Sequence, residues 1–137
     1  MTSRTGRHRV LLVEDYADLA EATADFLRRF GLDVQVALSG RQALDIAETF
    51  QPIIVLCDLR LPDTSGLDLA RALRARHRSS TLLVALLTAV SETELRSIEH
   101  SAVDLLLSKP LTKEKLDAVL LELERLLRQG QSASAVE

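Results

Sequence analysis

Glu14-Asp15, Asp58, Thr88 and Lys109 each stand at or just beyond the end of a short apolar run. Val10-Leu11-Leu12-Val13 leads into the first pair, Ile53-Ile54-Val55-Leu56-Cys57 into Asp58, Leu82 to Leu87 into Thr88, and Val103 to Leu107 into Ser108-Lys109-Pro110. Singly, none of these residues means much, because an Asp after a strand commonly caps a turn. As a set they suit one kind of chemistry. Three carboxylates held close repel one another and call for a cation. Oxygen donors without His or Cys suit magnesium, or manganese, rather than zinc. An ionised Asp58 can attack phosphorus and form an acyl phosphate. That transfer needs in-line attack and neutralisation of the equatorial oxygens. A metal would take one oxygen, Lys109 a second and the Thr88 hydroxyl a third, with backbone N–H groups after Asp58 and Thr88 adding to them.

These groups converge only if the runs are neighbouring strands of one sheet. The runs are short, apolar and separated by helical patterns, as buried strands of a parallel sheet are. Leu19, Ala22, Thr23, Phe26, Leu27 and Phe30 recur at helical spacing before Gly31. Val34, Val36 and Leu38 alternate as a strand does. Ser39 and Gln42 make a capping box for a helix carrying Ala43, Leu44, Ile46 and Ala47. After the loop Pro62-Asp63-Thr64-Ser65-Gly66, Leu67, Ala70 and Leu73 mark a third helix. Its arginines Arg71, Arg74, Arg76 and Arg78 are expected on a solvated face. Ser91-Glu92-Thr93-Glu94 opens a fourth helix, and Thr112 caps a fifth that carries Leu116, Val119, Leu120, Leu123, Leu126 and Leu127. Strand–helix repeated five times implies an α/β domain with a parallel sheet covered on both faces. All strand ends then share the carboxyl edge, where such sheets bind ligands.

Composition sets the bounds. The chain has 137 residues, 47% hydrophobic and 27% charged, which fits one domain with one core. Residues 1–8 are expected as a disordered leader, 9–128 as the domain and 129–137 as a disordered polar tail. Aromatics are 3%, so Leu, Val, Ile and Ala must fill the interior. A net charge of −3 gives no electrostatic case for nucleic-acid binding by this domain itself. Cys57 has no second cysteine to pair with and reads as a buried thiol. No apolar stretch approaches the ~20 residues of a membrane span, and a cytoplasmic location is expected.

With these residues in place, the chain resembles the receiver domains of two-component response regulators over roughly Arg9 to Arg128. The resemblance rests on Val13-Glu14-Asp15, on Asp58 with Leu61-Pro62-Asp63 and Gly66, on Thr88-Ala89 and on Lys109-Pro110. It implies a flavodoxin-like (βα)5 fold with strand order 2-1-3-4-5. It implies Asp58 as phospho-acceptor, Asp15 as direct Mg2+ ligand, Glu14 as an acid acting on the metal mainly through water, and the main-chain carbonyl of Arg60 as a further ligand. Thr88 would be the switch hydroxyl, Lys109 its partner at the phosphoryl group, and the bond before Pro110 cis. The donor would be the phosphohistidine of a histidine kinase or histidine phosphotransfer protein. Output would pass through the fourth helix, the fifth strand and the fifth helix to an effector or a second copy. Such a protein is a switch with slow self-dephosphorylation, not a turnover enzyme. Two departures from the family pattern stand out. Leu106 occupies the switch position usually held by Tyr or Phe, and Ala102-Val103 replaces the usual Gly-Ala. Two alternatives compete. One is a phosphorylation-independent pseudo-receiver, which Leu106 would suit. The other is a haloacid-dehalogenase-like phosphatase, which would want an acid where Arg60 stands.

Overall fold

The computed structural model describes residues 7–77, 81–89 and 102–136. The helix expected from Ser91, the leader up to Gly6 and Arg78 lie outside the described residues. Five parallel strands form one sheet in the order β2-β1-β3-β4-β5: β1 (Arg9–Val13), β2 (Asp33–Ala37), β3 (Ile54–Asp58), β4 (Leu83–Thr88) and β5 (Leu105–Ser108). This is the flavodoxin-like α/β arrangement. Four helices are described: α1 (Ala17–Arg29), α2 (Gly40–Phe50), α3 (Gly66–Arg76) and α4 (Lys113–Val136), the last being the fifth helix of the sequence pattern.

The apolar runs become strands because both faces of the sheet are covered. Alternate side chains point to opposite faces. Val10, Leu12, Ile54, Leu56, Leu83, Ala85 and Leu87 join a core layer with Ala24 and Leu27 of α1 and with Leu116, Val119 and Leu123 of α4. Leu11, Val13, Val55, Cys57, Val84 and Leu86 join the opposite layer with Ala43 of α2 and with Leu69, Ala70 and Leu73 of α3. Burying a Leu, Val or Ile side chain contributes about 1.5–3 kcal/mol, so the central strands dominate the folding free energy. They also hold their own carboxyl ends rigidly in register.

The helix signals fall close to their expected places. Ser39 Oγ accepts the Gln42 N–H at 3.1 Å, and Gln42 Oε1 accepts the Leu38 N–H at 2.6 Å. Thr112 Oγ1 accepts the Lys115 N–H at 3.3 Å. Gly31, with φ +83°, ends α1 in a conformation that costs glycine little.

Two expectations are corrected. The seam of α1 is rotated: Ala20, Ala24 and Leu27 are its buried residues, while Leu19 and Phe30 are 37% and 43% exposed. Small alanines allow the helix to approach the sheet closely, which hydrophobicity alone does not reveal. Arg74 is not on a solvated face. It donates to Ala102 O at 2.8 Å and Leu82 O at 3.0 Å and pairs with Asp104 at 2.6 Å. The helix α4 itself runs on through Gln129 to Val136. That segment contains no proline, and Gly130 weakens a helix by only about 1 kcal/mol.

Candidate functional site

β1 and β3 are adjacent, with Val13 opposite Cys57. Strand order reverses here, since β2 lies on one side of β1 and the later strands on the other. The carboxyl ends of strands at such a switch point form a crevice. Glu14 and Asp15 leave β1 into it, and Asp58 ends β3. Each of the three acids offers an oxygen, and these oxygens lie within 4.8 Å of one another. Glu14 is buried, Asp58 partly buried and Asp15 exposed, so the cluster is anchored inside and open outside. An all-oxygen set of this kind fits a small hard divalent cation.

Lys109 reaches the cluster from just beyond β5. Its Nζ donates to Glu14 Oε1 at 2.7 Å and to Asp58 Oδ2 at 3.2 Å. Burial works against the charged ammonium, but the hydrogen bond to Glu14 and the negative charges of Asp58 and Glu14 outweigh it, and Lys109 is held above the ordinary lysine pKa. Glu14 is fixed further by the Tyr16 N–H, 3.1 Å from Oε2. Three carboxylates thus face one ammonium, leaving an excess of negative charge. Thr88 ends β4 and is buried, and its carbonyl accepts the Lys109 N–H at 2.8 Å. The Lys109–Pro110 bond is cis. The structure therefore brings Glu14, Asp15, Asp58, Thr88 and Lys109 to one edge of the sheet. Arg60 is two residues past Asp58, exposed, and bridged to Ser65.

Comparison with known proteins decides the family. A model of the response regulator receiver domain matches residues 10–121. The chain belongs to the response regulator receiver family. The DNA-binding response regulator MtrA of Mycobacterium bovis is 37% identical over 123 residues, which are 88% of this chain and 53% of that protein. The regulatory protein LuxO of Vibrio vulnificus is 30% identical over 105 residues, 77% of this chain and 23% of that protein. The receiver thus spans about half of one relative's length and about a quarter of the other's. Among solved structures, a CheY-like receiver domain from Methylobacillus flagellatus aligns with a TM-score of 0.76 at 30% identity, over 85% of this chain and 98% of that one. The receiver domain of a LuxO-type repressor from Vibrio parahaemolyticus gives 0.75 at 27% identity, over 92% and 97%.

Around the acids, the structure adds contacts to residues the sequence singled out, and the sequence did not signal the role of Lys115 or the neighbouring cavity. A Cβ on Gly66 would lie 2.5 Å from the Asp58 carbonyl oxygen and 2.9 Å from Leu86 Cδ2. Only glycine lets α3 start directly against the backbone of Asp58. Lys115 donates to Ser108 O at 2.6 Å, Ser108 Oγ at 3.0 Å and Pro110 O at 3.1 Å. All three ammonium protons are thereby used on the residues flanking Lys109. No spacing rule links position 115 to position 109, because the contact depends on how the loop folds back. Leu106, opposite Leu86 in the sheet, is half-buried against the core layer beneath α2 and α3. Cys57 is 1% exposed, and burial, then the charges of Asp58 and Glu14, push its thiol pKa far up. A cavity of about 230 Å³ opens beside the acids, lined by Leu19, Thr23 and Phe26 of α1, by Leu111, and by Asp58 and Lys109 themselves. No helix among the described residues is long and apolar enough to cross a membrane.

Proposed function

We propose that the chain is a phospho-accepting receiver and that Asp58 is its acceptor. A carboxylate oxygen of Asp58 attacks the phosphorus of a phosphohistidine on a histidine kinase or histidine phosphotransfer protein. The P–N bond breaks, and the imidazole leaves with the bonding pair and takes up a proton. Glu14, Asp15, Asp58 and the Arg60 main-chain carbonyl would hold a magnesium ion, which would supply charge neutralisation to the phosphoryl oxygens. Lys109 exchanges its bond to Asp58 for one to a phosphoryl oxygen, and the Thr88 hydroxyl turns toward another. Preorganised donors of this sort stabilise charge where it develops. The observation that carries the reading is the meeting of three carboxylates and Lys109 at the switch point. The cavity beside Asp58, walled on one side by Leu19, Thr23 and Phe26, leaves room for the imidazole of the donor to approach.

The added charge of about −1.5 to −2 draws Thr88 and Lys109 inward. Because Lys109 is bonded to the Thr88 carbonyl, and Thr88 lies opposite Ser108, the movement passes to β5 and α4. Phosphorylation then shifts a standing equilibrium of that face, with Leu106 repacking in place of an aromatic side chain. The domain acts as a switch in the cytoplasm and turns over its acyl phosphate only slowly. A small phosphodonor with and without Mg2+, read by intact mass, tests this. Wild type gains one phosphoryl group in Mg2+ only, and Asp58→Asn gains none while keeping its fold. Normal uptake by Asp58→Asn would remove Asp58 from the role. An effector that binds Asp58→Asn and phosphorylated wild type equally would favour the pseudo-receiver reading.

A further inference from the structure

The segment that follows Asp58 is closed on itself. Leu61 N–H donates to Thr64 O at 3.0 Å, Arg60 bridges Ser65, and Gly66 N–H donates to Leu59 O at 2.6 Å. A loop bonded internally in this way moves as one piece, so wherever its tip is held, the Arg60 carbonyl is held too. The tip is held by Asp63. Its Oδ1 accepts the Gly40 N–H and its Oδ2 the Arg41 N–H, both at 2.9 Å. These are first-turn N–H groups of α2, which have no partner within their own helix, and the carboxylate also meets the positive end of the helix dipole. The Gly40 N–H and then the Arg41 N–H keep the Asp63 carboxyl below its usual pKa. Contact continues beyond the hydrogen bonds: a Cβ on Gly40 would sit 2.4 Å from Thr64 Cγ2. The loop tip is therefore seated on the start of α2, with no spare room.

We propose that Asp63 is a positioning residue for the divalent cation. By docking the loop onto the N-terminus of α2, it fixes the Arg60 carbonyl relative to Asp15 and Asp58. The inference rests on the reading of this edge as a magnesium-dependent acceptor site. Magnesium demands near-octahedral geometry at about 2.0–2.1 Å, so a small drift of one carbonyl weakens binding even when every carboxylate is intact. Gly40 and Thr64 are the second half of the same seat.

The test is a Mg2+ titration of the full unphosphorylated chain, followed by amide chemical shifts, with the thermal midpoint measured separately in the absence of cation. Asp63→Ala raises the Mg2+ dissociation constant about 10-fold, the scale of losing a supporting contact behind a metal ligand. Asp63→Asn, which keeps one acceptor oxygen, falls between. Gly40→Ala weakens binding in the same sense by pushing Thr64 away, and Gly40→Ala/Thr64→Ser, which removes Cγ2, recovers most of the affinity. A purely structural role would lower the thermal midpoint and leave the dissociation constant alone. Asp63→Ala binding Mg2+ within about two-fold of wild type overturns the positioning role while leaving the acceptor site standing. A wild type with no saturable Mg2+ shift overturns both.

Discussion

Two charged clusters sit at opposite edges of the same sheet, and they are built on opposite plans. At the carboxyl edge, Lys109 is shared between Glu14 and Asp58, and Asp15 adds a third carboxylate. At the amino edge, Arg74 spends its guanidinium on two carbonyls and on Asp104, whose carboxylate also accepts the Val84 N–H at 2.8 Å. The lower cluster is closed: opposite charges are matched and the polar groups point at one another. The upper cluster is unbalanced, with acids in excess and one of them exposed. Breaking a satisfied, partly buried pair costs stability, whereas an unsatisfied cluster is poised to take up another charge. Polar groups at both edges look alike in a sequence. Only their balance separates the site from the clasp.

The comparison breaks most sharply at Lys109. Lys109→Met should slow phosphoryl uptake by about 100-fold, the usual loss for one preorganised donor to a developing oxyanion. Stability should become more dependent on Mg2+, because the cation then takes over the neutralisation of Glu14 and Asp58. Uptake from a small phosphodonor and thermal midpoints with and without Mg2+ check both halves.

Arg74→Met should do the reverse. Losing the clasp costs about 2–3 kcal/mol of unfolding free energy in a denaturant titration, and uptake at Asp58 stays near wild type at a temperature where the variant is folded. A variant that loses phosphorylation without losing stability would mean that the two edges are coupled.

Cys57 gives a probe lying next to Asp58, whose carbonyl its thiol meets at 3.1 Å. Its buried, high-pKa thiol should resist alkylation in the native protein and react readily in denaturant. Arg74→Met should raise the native labelling rate in proportion to its loss of stability, and Lys109→Met in Mg2+ should raise it less.

The smallest expected effect is on acid stability. The folded-state pKa of Asp63 is depressed, so its contribution is present above the unfolded value near 3.8 and is lost as pH falls through the folded value. Asp63→Asn should therefore show a shallower loss of stability below about pH 4. Because Asp63 is exposed, salt should shrink the difference. An unchanged acid limb would mean that the carboxylate is not held at α2 in solution.

Much of this protein could be read from residue order alone. Apolar runs of four to six residues cannot remain in water, and helical patterns between them require parallel crossovers, so the sheet and its strand-end acids follow from local sequence. Ser39, Ser65 and Thr112 begin helices because a short oxygen side chain meets a nearby N–H, again a local matter. What the tertiary structure decided are the contacts between residues that no local rule connects. Asp63 looked like one more loop acid until its carboxylate was found on an α2 helix start 22 and 23 positions earlier. Arg74 looked solvated until the approach to β5 folded over it. Ala20 and Ala24 took the place against the sheet that Leu19 seemed to claim. Hydrophobic pattern fixes which residues must be buried somewhere, because that free energy depends on area and not on direction. Hydrogen bonds and close packing are directional and short in range, so they are settled only when distant segments actually meet.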